Sequence, residues 1–333
     1  MLLEQDSFET GSLASGRSSQ DTLAIFEELN PRFLERYREI DGSTEFWDYM
    51  SKPLRQSIRV NTLKARVRDV TENLGKNFHL EQVPWCGEGF FVQPRSAETE
   101  ARITNTLEYH LGLIFSQEAS SMIPPVVLDV KPGQLVLDMA AAPGSKTTQI
   151  GMYMKNRGCI VANDVKRKRL NILIQNIQKC GVLNAWVTMK DARFFRRFEN
   201  TFDRVLLDAP CSNVGMIRKN YRHLKLWSKR KVESLSRLQK ELILAGYKAL
   251  KPGGIMVYST CTLEPPENEE VVDHLISKTD ARVEEINLPL KKTKPFTSFE
   301  GKKYDSQVKN CLRIHPQDND TEGFFVAKII KEN

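Results

Sequence analysis

From Lys131 onward the chain repeats one pattern: a short run of apolar residues, a carboxylate, a turn, then apolar positions at helical spacing. Leu135-Val136-Leu137-Asp138 leads into the small-residue stretch Ala140–Thr148 and a helix through Gln149, Ile150 and Met154. Cys159–Asn163 leads into Asp164 and a helix with Leu170, Leu173, Ile174 and Ile177 on one face, stopped at Gly181. Ala185–Met189 ends at Lys190-Asp191, and Val205-Leu206-Leu207 ends at Asp208. Apolar strands alternating with helices predict an open, mostly parallel sheet whose carboxyl edge carries the functional groups. One acid at such a position is a turn former or a helix cap. Four in series favour an edge lined for a ligand.

Beyond Asp208 the spacing predicts an amphipathic helix over 232–250 with Leu235, Leu238, Leu242, Ala245 and Ala249 on one face. Leu250–Gly254 reads as a turn into the strand Ile255–Tyr258, which ends at Ser259-Thr260-Cys261-Thr262, and a further helix opens at Glu267–Glu270. Cys311–Ile314 and Gly323–Ile329 read as two strands that complete the sheet. On the N-terminal side, residues 1–20 are polar and small and read as a disordered tail. Leu23, Phe26, Leu29, Phe33, Leu34 and Tyr37 then recur at helical spacing, broken at Asn30-Pro31, in a helical lobe ending near Lys52-Pro53. Ser57–Leu63 alternates as a strand, 64–77 reads as a helix and Gly89–Val92 as a second strand, a small α/β (RRM-like) module. The expected organisation is a tail over 1–20, an N-terminal region over 21–115 and a catalytic domain over 116–333.

The 333 residues carry a formal charge of +7. Basic residues cluster at Arg193/Arg196/Arg197, at Lys166–Arg169 and from Arg218 to Lys231. The clustering leaves a polyanionic partner and a plain solvated surface in balance. The six cysteines have neither zinc spacing nor the density of a disulfide framework, so they read as reduced thiols of a cytoplasmic protein. There is no signal peptide and no bilayer-spanning apolar run, and nothing implies a metal, a membrane or an oligomer. The loop after Asp138 is neither G-x-x-x-x-G-K-[ST] nor G-x-G-x-x-G, which excludes a Walker loop and a dinucleotide fingerprint. Asp164 stands roughly 20 residues beyond this loop, where doubly wound folds place an acid on a ribose.

The order of glycine-containing loop, ribose-type acid, third acid and a strand ending D-x-P fits a Rossmann-like class I methyltransferase. Asp208-Ala209-Pro210-Cys211 and Ser259-Thr260-Cys261-Thr262 make the chain resemble the Sun/Fmu-type RNA (cytosine-5) methyltransferases, in layout the archaeal transfer-RNA members. The resemblance runs over roughly 22–330 and takes in Arg59–Leu63, Phe115–Ser121 and Gly323-Phe324-Phe325. It implies S-adenosyl-L-methionine as cofactor and RNA as partner, transfer RNA ahead of ribosomal RNA. It implies Cys261 as the attacking thiol, Cys211 as the residue that completes the reaction, and Asp208 between cofactor and base. Carried over in the same way, the backbone of Ala140, Ala141, Ala142, Pro143, Gly144, Ser145 and Lys146 would hold the methionine end. Asp164 would bind the ribose, with Arg169 as a basic contact, and Asp191 would approach the adenine. Lys146 would reach the substrate side if it is not merely an exposed lysine at a helix start; Asp138 would orient the loop. Cys86, Cys159, Cys180 and Cys311 read as small apolar residues.

The chain departs from the family's D-A-P-C-S-G-x-G at Asn213-Val214, where asparagine can still supply a positive φ. With no RNA-binding extension expected after Asn333, RNA contacts would fall to the N-terminal lobe and the basic catalytic face. A catalytically idle RNA-binding factor would have no chemical need for both thiols and the acids, and a DNA methyltransferase would need only the Pro-Cys thiol.

Overall fold

The computed structural model describes residues 19–96, 102–219 and 222–332. The tail expected over 1–20 lies outside these residues except for Ser19 and Gln20, which open helix α1 (Ser19–Leu29). Asn30 interrupts the helical pattern as expected: its side chain caps α2 (Pro31–Ile40) by accepting from the Phe33 amide. Helix α3 (Thr44–Ser51) closes the lobe, and Phe26, Phe33, Tyr37, Phe46 and Trp47 pack there into one aromatic cluster with Trp227.

A four-stranded antiparallel sheet follows, built from β1 (Gln56–Val60), β2 (Phe78–Gln82), β3 (Gly89–Pro94) and β4 (Ile114–Ser116) in the order β2-β3-β1-β4. Helix α4 (Val67–Leu74) packs on it, and the single-turn α5 (Leu107–His110) precedes β4. The sequence pattern finds β1 and β3 but neither β2 nor β4. Phe78–Gln82 is largely exposed, and a three-residue strand is too short to show a period. β1 stops at Val60 rather than running to Leu63, because Asn61 turns the chain and accepts from the Leu63 amide. The boundary expected at 115/116 falls inside β4.

After α6 (Ile123–Leu128) the alternation appears as expected: β5 (Leu135–Asp138), α7 (Ser145–Tyr153), β6 (Cys159–Asn163), α8 (Arg167–Cys180), β7 (Ala185–Thr188) and β8 (Phe202–Asp208). The short α9 (Arg222–Lys225) leads to α10 (Lys229–Ala249), then β9 (Leu250–Thr260) and α11 (Glu269–Ile276). β10 (Ala281–Glu284), the small ribbon β11 (Ser298–Phe299) and β12 (Lys302–Lys303), β13 (Leu312–Ile314), α12 (Pro316–Asn319) and β14 (Phe324–Lys331) end the chain. The large sheet has the order β10-β14-β9-β8-β5-β6-β7, with β13 beside β14. The strands from β5 to β9 run parallel, whereas β14 is antiparallel to β9.

Two expectations need correction. Leu250–Gly254 is part of β9 rather than a turn before it. Leu250 pairs with Phe202 and Ile255 with Arg204, so the intervening residues bulge out while the strand continues. Ile174 does not share the buried face of α8; it is exposed, while Leu170, Leu173 and Ile177 are buried.

The chain builds β5, β6 and β7 outward on one side, then crosses back to lay β8 against the other side of β5. A crevice opens where the strand order reverses, at the carboxyl ends of β5 and β8. Asp138 and Asp208 end those two strands.

Candidate active site

On the β5 side, Gly144 caps α7 with φ +108°, and a Cβ there would lie 2.9 Å from Leu173 Cδ1. Only glycine makes this turn against α8. The loop Ala140 to Ser145 is held through its backbone: the Ala141 amide donates to Asn163 O at 2.7 Å, and Asn176 Nδ2 donates to Pro143 O at 2.8 Å. Arg169 donates to Ala142 O and pairs with Asp164 at 3.1 Å. Asp138 orients the loop as expected, its Oδ2 accepting from Thr147 Oγ1 at 2.7 Å. Burial pushes the Asp138 carboxyl up to about 7, against the pull of that hydrogen bond.

Asp164 is buried; one carboxylate oxygen accepts from the Lys166 amide at 2.9 Å, and the other has no hydrogen bond. Its charged partner among the described residues, Arg169, is half-exposed. A buried carboxylate oxygen met by one half-exposed guanidinium but by no hydrogen bond, beside a loop whose small residues allow close backbone approach, would suit the ribose and methionine ends of S-adenosylmethionine. Asp191 follows the neighbouring strand β7, where Asn163 Nδ2 donates to the adjacent Lys190 O at 2.9 Å. Asp191 accepts from the Arg193 amide at 2.9 Å, pairs with the Arg193 guanidinium at 2.6 Å and is half-exposed. The Arg193 hydrogen bond holds its carboxyl below the usual value.

Lys146 is buried rather than an exposed lysine at a helix start. Its ammonium donates to Asp208 Oδ2 at 2.7 Å and to Ser121 Oγ at 2.9 Å, and lies 5.6 Å above the Phe324 ring. Burial alone would lower the Lys146 pKa, but the Asp208 carboxylate outweighs it and the net shift is upward. Asp208 Oδ1 accepts from Ser259 Oγ at 2.7 Å, because Asp208 and Ser259 are register partners across β8 and β9.

Three residues past the end of β8 and one past the end of β9, the thiols meet. Cys211 Sγ lies 3.3 Å from Cys261 Sγ. The Cys261 thiol is raised well above its usual value, first by its hydrogen bond to Cys211 and then by burial. Both thiol loops are anchored from behind. Glu267 accepts from the Ser212 amide at 3.0 Å, Ser212 Oγ meets Thr262 Oγ1 at 2.7 Å, and Asn268 donates to Thr262 O at 2.9 Å. Gly215 donates to Cys261 O at 2.9 Å and accepts from the Gly323 amide at 3.2 Å. A Cβ on Gly215 would stand 2.0 Å from Gly323 O, so three backbones pass here where no side chain fits.

The structure therefore brings together Cys211, Cys261, Asp208 and Lys146, and separately gathers the loop with Asp164 and Arg169. Several participants escape the sequence reading. Ser121 and Ser259 are unremarkable serines until the fold aims them. Glu322 is buried beside Glu118, which accepts from the Glu322 amide, and its Oε1 has no hydrogen bond. Burial and the neighbouring Glu118 carboxylate raise it above the usual range. It reaches this edge because β14 runs antiparallel, bringing its first residues to the carboxyl ends of the others. Asn213 takes φ +61°, as the sequence allows, but its side chain also enters the site: Oδ1 lies 3.1 Å from Cys261 Sγ and 3.4 Å from Cys211 Sγ. Arg218, counted in a basic cluster, is buried and binds Thr321 O, Asp320 and the backbone near Lys52, so it is structural. Of the remaining cysteines, Cys86, Cys180 and Cys311 are buried as expected and Cys159 is half-buried. No group of metal-ligating residues occurs among the described residues, and no helix among them is long and apolar enough to cross a membrane.

A family model described as 16S rRNA methyltransferase RsmB/F matches residues 125–330, and one for the N-terminal domain of 16S rRNA methyltransferase RsmF matches residues 29–119. The chain is 58% identical over 307 residues to the tRNA (cytosine(49)-C(5))-methyltransferase of Pyrococcus abyssi, covering 92% of this chain and 97% of that relative. It is 46% identical over 284 residues to ribosomal RNA small subunit methyltransferase F of Vibrio atlanticus, covering 84% of this chain but spanning only 58% of that relative. The crystal structure of a methyltransferase homolog protein from Pyrococcus horikoshii matches with a TM-score of 0.81 at 38% identity, over 93% of this chain and 99% of that one. These matches run through both sheets and both thiol loops, and the chain belongs to the RsmB/F family as an S-adenosylmethionine-dependent RNA (cytosine-5) methyltransferase.

Proposed function

We propose that the protein methylates C5 of a cytosine in transfer RNA, with Cys261 as the nucleophile and Cys211 as the residue that finishes the reaction. The observation that carries this reading is the pair of thiols 3.3 Å apart at the switch-point crevice, beside the Lys146–Asp208 ion pair. Cytosine C5 is too weak a nucleophile to take a methyl group unaided. Addition of the Cys261 thiolate to C6 moves electron density onto C5 and toward N3, where the Lys146–Asp208 pair can hold or deliver a proton. The bound cofactor supplies an electrophilic methyl group. Once C5 carries it, Cys211, as its thiolate, takes the C5 proton, the C5–C6 double bond re-forms, the N3 proton returns to the Lys146–Asp208 pair and the Cys261 thiolate leaves. The base has to swing out of its stack to reach Cys261.

Transfer RNA is favoured over ribosomal RNA because the relative matched nearly end to end acts on tRNA by name, whereas the rRNA enzymes are matched over about six-tenths of their length. The lobe over residues 21–115 is assigned to RNA binding and residues 116–333 to catalysis. A cytoplasmic site of action, where the thiols stay reduced, belongs to the same reading.

The test incubates Cys211→Ala protein with S-adenosylmethionine and either tRNA or small-subunit rRNA transcripts, then runs a denaturing gel. A covalent protein–RNA band with tRNA is expected. A band with rRNA alone would reassign the substrate. A band from Cys261→Ala but not from Cys211→Ala would exchange the two thiols.

A further inference from the structure

Asn213 stands where the resemblance leads one to expect glycine, and its side chain is not turned to solvent. Its amide oxygen lies 3.1 Å from Cys261 Sγ and 3.4 Å from Cys211 Sγ, closing a triangle with the 3.3 Å sulfur–sulfur contact. An amide oxygen can only accept, and the hydrogens within this triangle belong to the thiols. The contact therefore exists only while a thiol keeps its proton. The left-handed backbone at φ +61° is what directs the side chain back over the sulfurs.

We propose that Asn213 is a positioning residue for the thiol pair: its Oδ1 anchors the two sulfurs side by side and holds them as thiols in the RNA-free enzyme. The inference rests on the reading of Cys261 as nucleophile, and it adds a control on when that nucleophile forms. The other groups facing the pair are Asp208 at the end of β8, Lys146 on α7, Glu322 ahead of β14 and the Tyr258 hydroxyl on β9. Both variants described below leave these four side chains unaltered.

Two variants separate the possibilities without disturbing the turn. Asn213→Gly accepts a positive φ and removes the acceptor; Asn213→Asp keeps the shape and makes the acceptor an anion. The measurement is the rate of iodoacetamide alkylation at Cys261 against pH, resolved by peptide mass spectrometry on the full chain without RNA. Losing one thiol hydrogen bond should move the glycine profile to lower pH and raise the rate at neutral pH by roughly three- to tenfold. The aspartate profile should move to higher pH, with a slower rate at neutral pH. Profiles that overlay the native one would overturn the proposal. A glycine profile displaced to higher pH would also overturn it, because the amide nitrogen would then be the group facing the sulfurs. Adduct formation on RNA is scored separately: its failure in Cys211→Ala would sink the nucleophile assignment while leaving the alkylation profiles to decide on Asn213.

Discussion

On the β5–β6 side of the crevice, each group that would touch the cofactor lies within a few residues of the strand that carries it. The loop Ala140–Lys146 follows β5, and Asp164 directly follows β6. Its fixings are largely backbone hydrogen bonds and one half-exposed ion pair. On the β8–β9–β14 side, the groups come from five stretches far apart in the chain: Ser121, Lys146, Asp208 to Asn213, Ser259 to Cys261, and Glu322. They are buried or half-buried, and all but Glu322 are hydrogen-bonded to another of them. The first side is a local motif repeated along a sheet edge. The second is a tertiary assembly of side chains drawn together from distant stretches. Binding a cofactor needs a pocket that admits and releases it. Generating a carbon nucleophile needs acids, thiols and an ammonium held at contact distance out of water, where their charges act strongly.

The largest effect should come from the thiol side. Cys261→Ala removes the only atom proposed to activate C5, and methyl transfer should fall by more than about 10³-fold while cofactor binding, measured by calorimetry, stays unchanged. A matching loss of cofactor affinity would mean the two sides are one site. Next, Lys146→Met leaves the Asp208 carboxylate without its cation and should reduce kcat by about 10²–10⁴-fold. Activity within tenfold of native would remove the pair from the proton-handling step. On the cofactor side, Asp164→Asn keeps the shape and removes the charge. Cofactor Kd should weaken about ten- to a hundredfold, with the rate at saturating cofactor little changed. If kcat collapses instead, Asp164 is not confined to binding.

The smallest effect concerns stability. Asp138 is buried and pushed up to about 7, so its folded-state value lies above its unfolded one. Its protonated form is the one the fold favours. That contribution is full at pH below the ordinary carboxylate range and is lost as pH rises through about 7. Asp138→Asn should therefore flatten the decline in stability between acidic and alkaline pH in urea titrations. An unchanged pH profile would show that Asp138 titrates normally.

A further link joins the N-terminal sheet to the catalytic edge. Arg59 on β1 is fully buried and donates to Ser145 O at 2.8 Å and to Thr148 Oγ1 at 2.9 Å, with no ion pair to a carboxylate among the described residues, and burial lowers its pKa. It ties β1 to the first turn of α7, the turn that carries Lys146. In the sequence it opens the Arg59–Leu63 stretch that carries part of the resemblance, but its burial and its tie to α7 show only in the fold.

The chain by itself determined the alternation of strands and helices, the acids that end the strands and the two cysteine motifs. Each is written within a few residues, and apolar period and turn chemistry are local properties. It also determined that Asn213 could take a left-handed turn. What only the tertiary structure decided is which of these groups meet. The return of the chain from β7 to β8 sets Asp208 beside Ser259, the antiparallel β14 brings Glu322 to the same edge, and packing buries Lys146 against Asp208. Those contacts depend on strand order and direction, and no spacing along the chain encodes them. The place of Asn213 between the sulfurs is of the same kind: its backbone was legible, and its role came from the neighbour 48 residues away.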